Sequence, residues 1–289
     1  MHIYQIGNHY TPPQQLDPGF EVLDNSANER PDWYEYWPIR NYLLGRELDE
    51  DAFYGFLSPK FRLKTNLTSK EVRDLLGTAD ACVEVVLLSP SIHNSAYFLN
   101  VFEHGESQHP GLKSVTARLF ERLGLASELD SLVSDSRNTV HSNYFIAKPR
   151  FWRAWLAITE KLFAIAEAPA DALGAALRAP TTYRGEASVP MKIFVMERIA
   201  TWLLMTDRTF IALARDPFVA RSRIYKLPAA IVCDALKIAY VTERRGQYLE
   251  VFGLVQGLRQ LLNFQVRLGG ALGLRHIAPC LRVLRSYWR

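Results

Sequence analysis

The chain is 289 residues long, with 48% hydrophobic, 22% charged and 12% aromatic residues, a composition that excludes disordered, collagen-like and disulfide-scaffold classes. Its net charge of +4 conceals a split: residues 1–51 carry three arginines against ten acids, whereas residues 251–289 carry six arginines and no acid. Such asymmetry marks one region for a polyanion or membrane surface and another for different work.

HIYQIG at residues 2–7 alternates and is rich in β-formers, which predicts a first strand ending at Gly7. Pro12, Pro13, Asp17, Pro18 and Gly19 punctuate a loop, and Phe20 to Asp24 predicts a short second strand. Pro31-Asp32 opens a helix running to Gly45, with a break expected at Pro38. AFYGFLSPKF from Ala52 predicts a strand stopped by Ser58-Pro59, and Thr68 with Glu71 forms the capping box of the helix SKEVRDLL. Residues 81–90, ACVEVVLLSP, have the apolar continuity of a strand buried on both faces. Leu112, Val115, Leu119 and Leu123 share a helical face, TVHSNYFIAK is a further strand candidate, and Trp155, Ile158, Leu162 and Ile165 mark the helix after it. Residues 168–188 predict a loop, and residues 189–205 one strongly apolar helix with Glu197 and Arg198 in its middle. Two or three more helices are expected from 207 on. Alternating strand and helix over the first 165 residues predicts an α/β fold with a mostly parallel sheet flanked by helices.

Cys82, Cys233 and Cys280 lie far apart in no CxxC or Cys/His spacing, which points to a reducing compartment and against structural zinc. No stretch reaches the roughly 20 uninterrupted apolar residues of a spanning helix. The opening MHIYQIGNHY lacks the basic region and apolar run of a secretory signal, so the expected location is cytoplasmic or peripheral on the cytosolic face of the inner membrane. P-loop, GxGxxG, HExxH, GxSxG and kinase signatures are all missing, as is a DxD after an apolar strand.

Three constellations carry chemistry. Asp24 and Asn25, with Asn28, Glu29, Arg30, Trp33, Glu35, Trp37 and Arg40, follow a strand of an α/β sheet, where small polar ligands bind; an aromatic loop packed on the sheet explains them equally well. Asp135, Arg137, Asn138, His141, Asn143 and Lys148 crowd a loop and strand, with a solvated hairpin as the competing explanation. Glu197-Arg198 interrupts an apolar helix. An ionised carboxylate buried there either pairs structurally or faces a cleft, where Glu197 would serve as a general base.

In order, PDWYEYWPIRNYL, YGFLSPKF, NYFIAKPRFWRAW and VPMKIFVMERIATWLL resemble segments of a family of small bacterial glycosyltransferases with the GT-A fold, found in capsule and lipopolysaccharide O-antigen gene clusters and long labelled a domain of unknown function. The resemblance spans roughly residues 1–205 and implies a catalytic domain there, with residues 206–289 a helical C-terminal extension. It implies contacts to a nucleoside-diphosphate sugar, a UDP-sugar in the first instance, near Gln5, Gly7, Asn25, Glu35 and Lys60, with Asp24 and Arg40 beside them. It assigns a central-site role to Asn138, Asn143, Glu197 and Arg198, with Asp135 as a further catalytic candidate. The family's His-Tyr-Arg-Arg-like run is here Ser58-Pro59-Lys60-Phe61, one cation instead of two. With no DxD, metal dependence stays open, since Lys60, Arg137 or Arg198 could neutralise the leaving diphosphate. The implied acceptor is a hydroxyl of a polysaccharide or lipid-linked glycan.

Leu274, Ile277, Leu281, Leu284 and Trp288 share one helical face, flanked by Arg275, Arg282, Arg285 and Arg289. This suits an interfacial helix on an anionic inner leaflet, although Pro279 interrupts it and a helix docked on the body is an equal alternative. The competing functional classes are a non-enzymatic polyanion or nucleic-acid binder and an inert scaffold of the same fold. A nucleic-acid binder would interleave basic residues with exposed aromatics, whereas the aromatics here concentrate in the acidic N-terminal region, so nucleic acid is not an expected partner.

Overall fold

The computed structural model describes residues 1–9, 11–12, 16–89, 95–183, 187–216 and 228–271. Two compact units result. The first comprises Met1–Pro90, Val101–Leu132 and Arg137–Arg215; the second comprises Ser91–Asn100, Val133–Ser136 and Asp216–Arg289, as far as these are described.

The first unit is built on a six-stranded sheet. Strand β1 (His2–Asn8) is flanked by β2 (Glu21–Asn25) and β3 (Tyr54–Leu57), both parallel to it. Beyond β3 come β5 (Phe145–Ala147), then β4 (Val85–Leu87), then β8 (Ala212–Ala214). β5 is antiparallel to both neighbours and β8 is parallel to β4, so every strand except β5 points the same way. The sheet is therefore mostly parallel, as alternation predicts. Its edge strand β8 lies past residue 205, so the sheet-bearing unit runs on to Arg215.

Side chains alternate between two apolar layers, the period-2 signature of a sheet covered on both faces. Tyr4, Ile6, Tyr54, Phe56, Val85, Leu87, Phe145 and Ala147 enter the larger cluster; Ile3, Leu57, Val86, Leu88, Tyr144 and Ile146 enter the smaller. The larger layer is roofed by α1 (Tyr36–Leu44), α4 (Val101–Gln108), α5 (Leu112–Arg122), α6 (Pro149–Glu167) and their neighbours. In α6 the predicted face is the one buried: Trp155, Ile158, Leu162 and Ile165. Trp152 stacks on Phe145 with centroids 4.4 Å apart and donates its indole N–H to the Tyr54 carbonyl at 2.9 Å. The smaller layer packs on α2 (Phe61–Thr65) and α3 (Ser69–Leu76), and the Thr68/Glu71 capping box opens α3 as expected.

Gly55 of β3 has its missing side chain aimed at this layer, where a Cβ would come within 2.6 Å of Ile146 Cγ1. Gly55→Ala is expected to cost about 1–3 kcal/mol through overpacking, measured by urea unfolding. Pairing it with Ile146→Ala should recover part of the loss relative to the two single costs.

Four expectations need correction. The break near residue 38 falls at Tyr34 (φ 49°, ψ −133°), between a 3-10 turn at Pro31–Trp33 and α1. Pro38 sits in the first turn of α1, where a proline forfeits no helical hydrogen bond. Only Val85–Leu87 of the run 81–90 pairs as strand, because Val83 closes a turn onto Asp80. The expected loop at 168–188 contains α7 (Ala172–Arg178), whose first turn is capped by the Asp171 carboxylate, followed by the hairpin β6 (Pro180–Tyr183) and β7 (Ala187–Pro190). Residues 189–205 are not one helix. β7 ends at Pro190, and α8 (Met191–Met196) and α9 (Ile199–Thr206) are separated by a turn at Glu197-Arg198.

In the second unit, α10 (Pro228–Glu243) and α11 (Gln247–Ala271) form a helical hairpin that buries Ala229, Ala230, Cys233 and Phe252 with Ala96 and Tyr97. The basic stripe at 274–289 lies outside the described residues.

Candidate functional site

In an open, mostly parallel sheet the carboxyl ends of the strands leave a crevice that helices do not fill. Here β1 ends at Asn8 and β2 at Asn25, which are register partners, and Asn25 Nδ2 donates to Asn8 Oδ1 at 2.6 Å. The chain then turns through Asn28 (φ 42°) and Tyr34 (φ 49°), both in left-handed conformations. Together Ile6, Asn8, Asn25, Asn28, Pro31, Tyr34 and Glu35 line a cleft of about 250 Å³. A second cleft of about 310 Å³ lies across the 23–29 loop and includes Asp24, Trp37, Asn41 and Arg46. A larger depression of about 490 Å³ near Arg118, Arg122 and Asp171 is away from the strand ends.

The segment entering β5 arrives at the same edge, because β5 alone runs backwards. Ser89, after β4, ties it down: its hydroxyl donates to the Thr139 carbonyl at 2.8 Å and accepts from the His141 N–H at 3.0 Å. Ser142 and Asn143 follow in consecutive left-handed conformations (φ 57° and 53°). Ser142 Oγ accepts from Lys64 Nζ at 3.1 Å, and Asn143 Oδ1 is buried without a hydrogen-bond partner among the described residues. Such an orphaned acceptor costs free energy unless a ligand or solvent donor satisfies it.

The turn between α8 and α9 brings Glu197 to this edge, and Thr201, one turn into α9, clasps Val140 by accepting its N–H at 2.8 Å. Among the described residues nothing hydrogen-bonds the half-buried Glu197 carboxylate. Burial pushes its pKa up; Arg198 and Lys64 pull it back, and Glu35 adds to the rise. Two carboxylates, a lysine and two amide-bearing loops thus converge on one end of the sheet. A desolvated carboxylate with a cation nearby and no partner is arranged to take a proton.

Other sequence candidates sit elsewhere or do structural work. Arg198 is buried, donating Nε to the Val101 carbonyl at 3.0 Å and Nη1 to the Phe194 carbonyl, with its guanidinium against Gly105; burial pulls its pKa down to about 10. Arg40 makes a two-pronged ion pair with Glu160 at 2.6 and 2.7 Å, and Tyr36 donates to the same carboxylate. Arg30, Asp32, Trp33 and Glu167 form a second such knot, so much of the aromatic segment after β2 is fastened to α6. Gln5 is buried, donating to the Ser58 and Pro59 carbonyls and accepting from Asp17 N–H at 2.7 Å. At Gly7 a Cβ would stand 3.2 Å from Val22 Cγ1. Asp24 Oδ1 accepts from Ser26 N–H at 2.8 Å, and Lys60 is exposed at the start of α2. Asn138 is half-buried in the turn before Val140, in the first unit, whereas Asp135 is fully buried in the second.

Sequence reasoning missed Lys64, Ser142, Asn8 and Tyr34. Only the Asn8/Asn25 pairing had a visible signal, as polar residues ending adjacent strands. Among the described residues no group of three His, Cys, Asp or Glu side chains could hold a metal ion. Comparison of the chain with known protein families, curated proteins and solved structures finds no match.

Proposed function

We propose that the sheet-bearing unit is a GT-A-type glycosyltransferase that moves a sugar from a nucleoside-diphosphate sugar to a hydroxyl of a glycan or lipid-linked acceptor. The observation that carries this reading is the desolvated Glu197 carboxylate at the carboxyl edge of the sheet, hydrogen-bonded by none of the described residues and within electrostatic reach of Lys64 and Glu35. Glu197 takes the acceptor proton as the new glycosidic bond forms, and the departing diphosphate leaves with the electron pair of the old one. Lys64 and the exposed Lys60 supply cations for that developing charge. The amide-rich cleft of Asn8, Asn25 and Asn28 suits ribose and sugar hydroxyls, each amide offering donor and acceptor together. The reading is consistent with work on the cytosolic side of cell-surface glycan assembly.

A thermal-shift screen with UDP, GDP, CMP and their sugars tests it. Ligand at about a hundred times its Kd stabilises by about 2.7 kcal/mol, a rise of several degrees, and Asn25→Ala should shrink that rise. No response to any nucleotide would leave the inert scaffold as the better reading.

A further inference from the structure

Between Trp33 and Tyr36 the chain passes from a 3-10 turn into α1. Trp33 is fully buried and donates its indole N–H to Glu167 at 2.9 Å, and Tyr36 is 4% exposed with its hydroxyl donating to Glu160 at 2.6 Å. Between these two anchored rings Tyr34 takes φ 49° and ψ −133° and donates its N–H to the Pro31 carbonyl at 3.3 Å. Glycine adopts such angles freely, whereas a residue with a Cβ is strained there. The junction accounts for the angles but not for a tyrosine. Tyr34 is 42% exposed and enters neither apolar layer of the sheet, while it lines the cleft beside Asn8, Asn25 and Asn28.

We infer that the Tyr34 ring is the stacking platform for the nucleobase of the proposed nucleoside-diphosphate sugar, an assignment that rests on the transferase reading above and names the part of the donor this cleft takes. Three features select the base. A half-exposed aromatic face offers the stacking that any planar base accepts. The side-chain amides of Asn8, Asn25 and Asn28 each carry a donor and an acceptor, which suits a base edge as well as the ribose hydroxyls. Among the described residues the one charged group lining the cleft is the Glu35 carboxylate, which repels phosphate. The uncharged nucleoside end therefore belongs here, leaving the diphosphate to the cations at Lys64 and Lys60. Strain at a ligand-contacting residue persists where the surrounding structure over-determines it, and the Trp33 and Tyr36 anchors on either side do so.

Titration calorimetry of the full chain with UDP, GDP and CMP, and with UDP-glucose and GDP-mannose, tests the assignment. For the nucleotide that binds the parent, Tyr34→Leu should raise Kd by about 5- to 150-fold, the worth of one stacked base, and Tyr34→Gly by at least as much. Tyr34→Phe, which keeps the ring, should recover most of that affinity. Without ligand, Tyr34→Gly should melt no lower than the parent because it removes the strain, so stability and binding part company at this one residue. An unchanged Kd in Tyr34→Leu and Tyr34→Gly overturns the inference and leaves the transferase reading in place. So does a lowered melting temperature in Tyr34→Gly, which would make the ring a structural prop. Weakened binding of the nucleotide sugar with none for the free nucleotide also overturns it, since the ring would then carry the sugar and not the base. Failure of the parent to bind any nucleotide removes the transferase reading itself, and the base contact with it.

Discussion

Glu197→Gln should lower the rate of the proposed sugar transfer by roughly 10²–10⁴-fold, the usual contribution of a positioned base, while the nucleotide-induced thermal shift survives. Gln keeps the shape and removes only the proton acceptor. The same substitution should raise stability at neutral pH. Burial raises the folded-state pKa of Glu197, so the folded chain prefers the protonated form, and ionising the group at neutral pH costs stability that the neutral amide does not. The difference fades with acid: below the ordinary glutamate range the carboxyl is protonated in both folded and unfolded states, and the gap between Gln and Glu should vanish. Melting temperatures of both proteins across pH read this directly. For the parent chain, kcat/KM of the proposed transfer should fall on the acid side at a pH above the normal carboxylate range, since a base must lose its proton to act. Wild-type turnover in Glu197→Gln would remove Glu197 from the chemistry.

Asp32→Ala should be among the most destabilising polar substitutions, at about 2–4 kcal/mol. Lys192 is 2% exposed, with Nζ 2.6 Å from Asp32, 3.9 Å from Glu167 and 3.8 Å from the centre of the Trp33 ring. Burial holds the Lys192 pKa below the ordinary lysine range in spite of Asp32. For Asp32, desolvation that would raise the pKa is outweighed by hydrogen bonds from Arg30 and Lys192, so it lies below the usual range. Deleting Asp32 strands a buried cation with only the more distant Glu167, whereas Lys192→Met removes that charge and should cost less. In urea unfolding the double variant should resemble Lys192→Met alone more than the sum of the two. The half-exposed Asp32 carboxylate keeps the effect at the lower end of buried pairs. Because its folded pKa is depressed, the Asp32 contribution is present at neutral pH and fades as pH falls through the acid range. Additive costs would show that the pair is not coupled.

Much of the first unit was legible residue by residue. The Thr68/Glu71 box, the Trp155 to Ile165 stripe and the alternation in β1 are local patterns whose physics acts within a few positions. The Pro38 break was misread because a proline's effect depends on which turn it occupies. The missed helix α7 carried a signal, Asp171 ahead of ALGAALR, masked by the small residues around it. The site was harder. Glu197 stood out as a charge in an apolar run, but the same criterion selected Arg198, and only the fold shows that one opens to the sheet edge while the other is bound to the Val101 and Phe194 carbonyls. Arg30 and Arg40 looked like ligand-binding cations until Glu160 and Glu167, more than a hundred residues away, were brought beside them.

The amino-acid sequence alone determined the α/β class, the main helix faces, the candidacy of Glu197 and the charge gradient from an acidic start to a basic end. These rest on periodicity and composition, which need no distant partner. Tertiary structure decided the reversal of β5, the convergence of Lys64, Ser142, Asn143, Glu35 and Glu197, and which charges are consumed by ion pairs. The reason is that desolvation and Coulomb interaction depend on distances through space, and those distances join residues whose separation along the chain carries no trace of them.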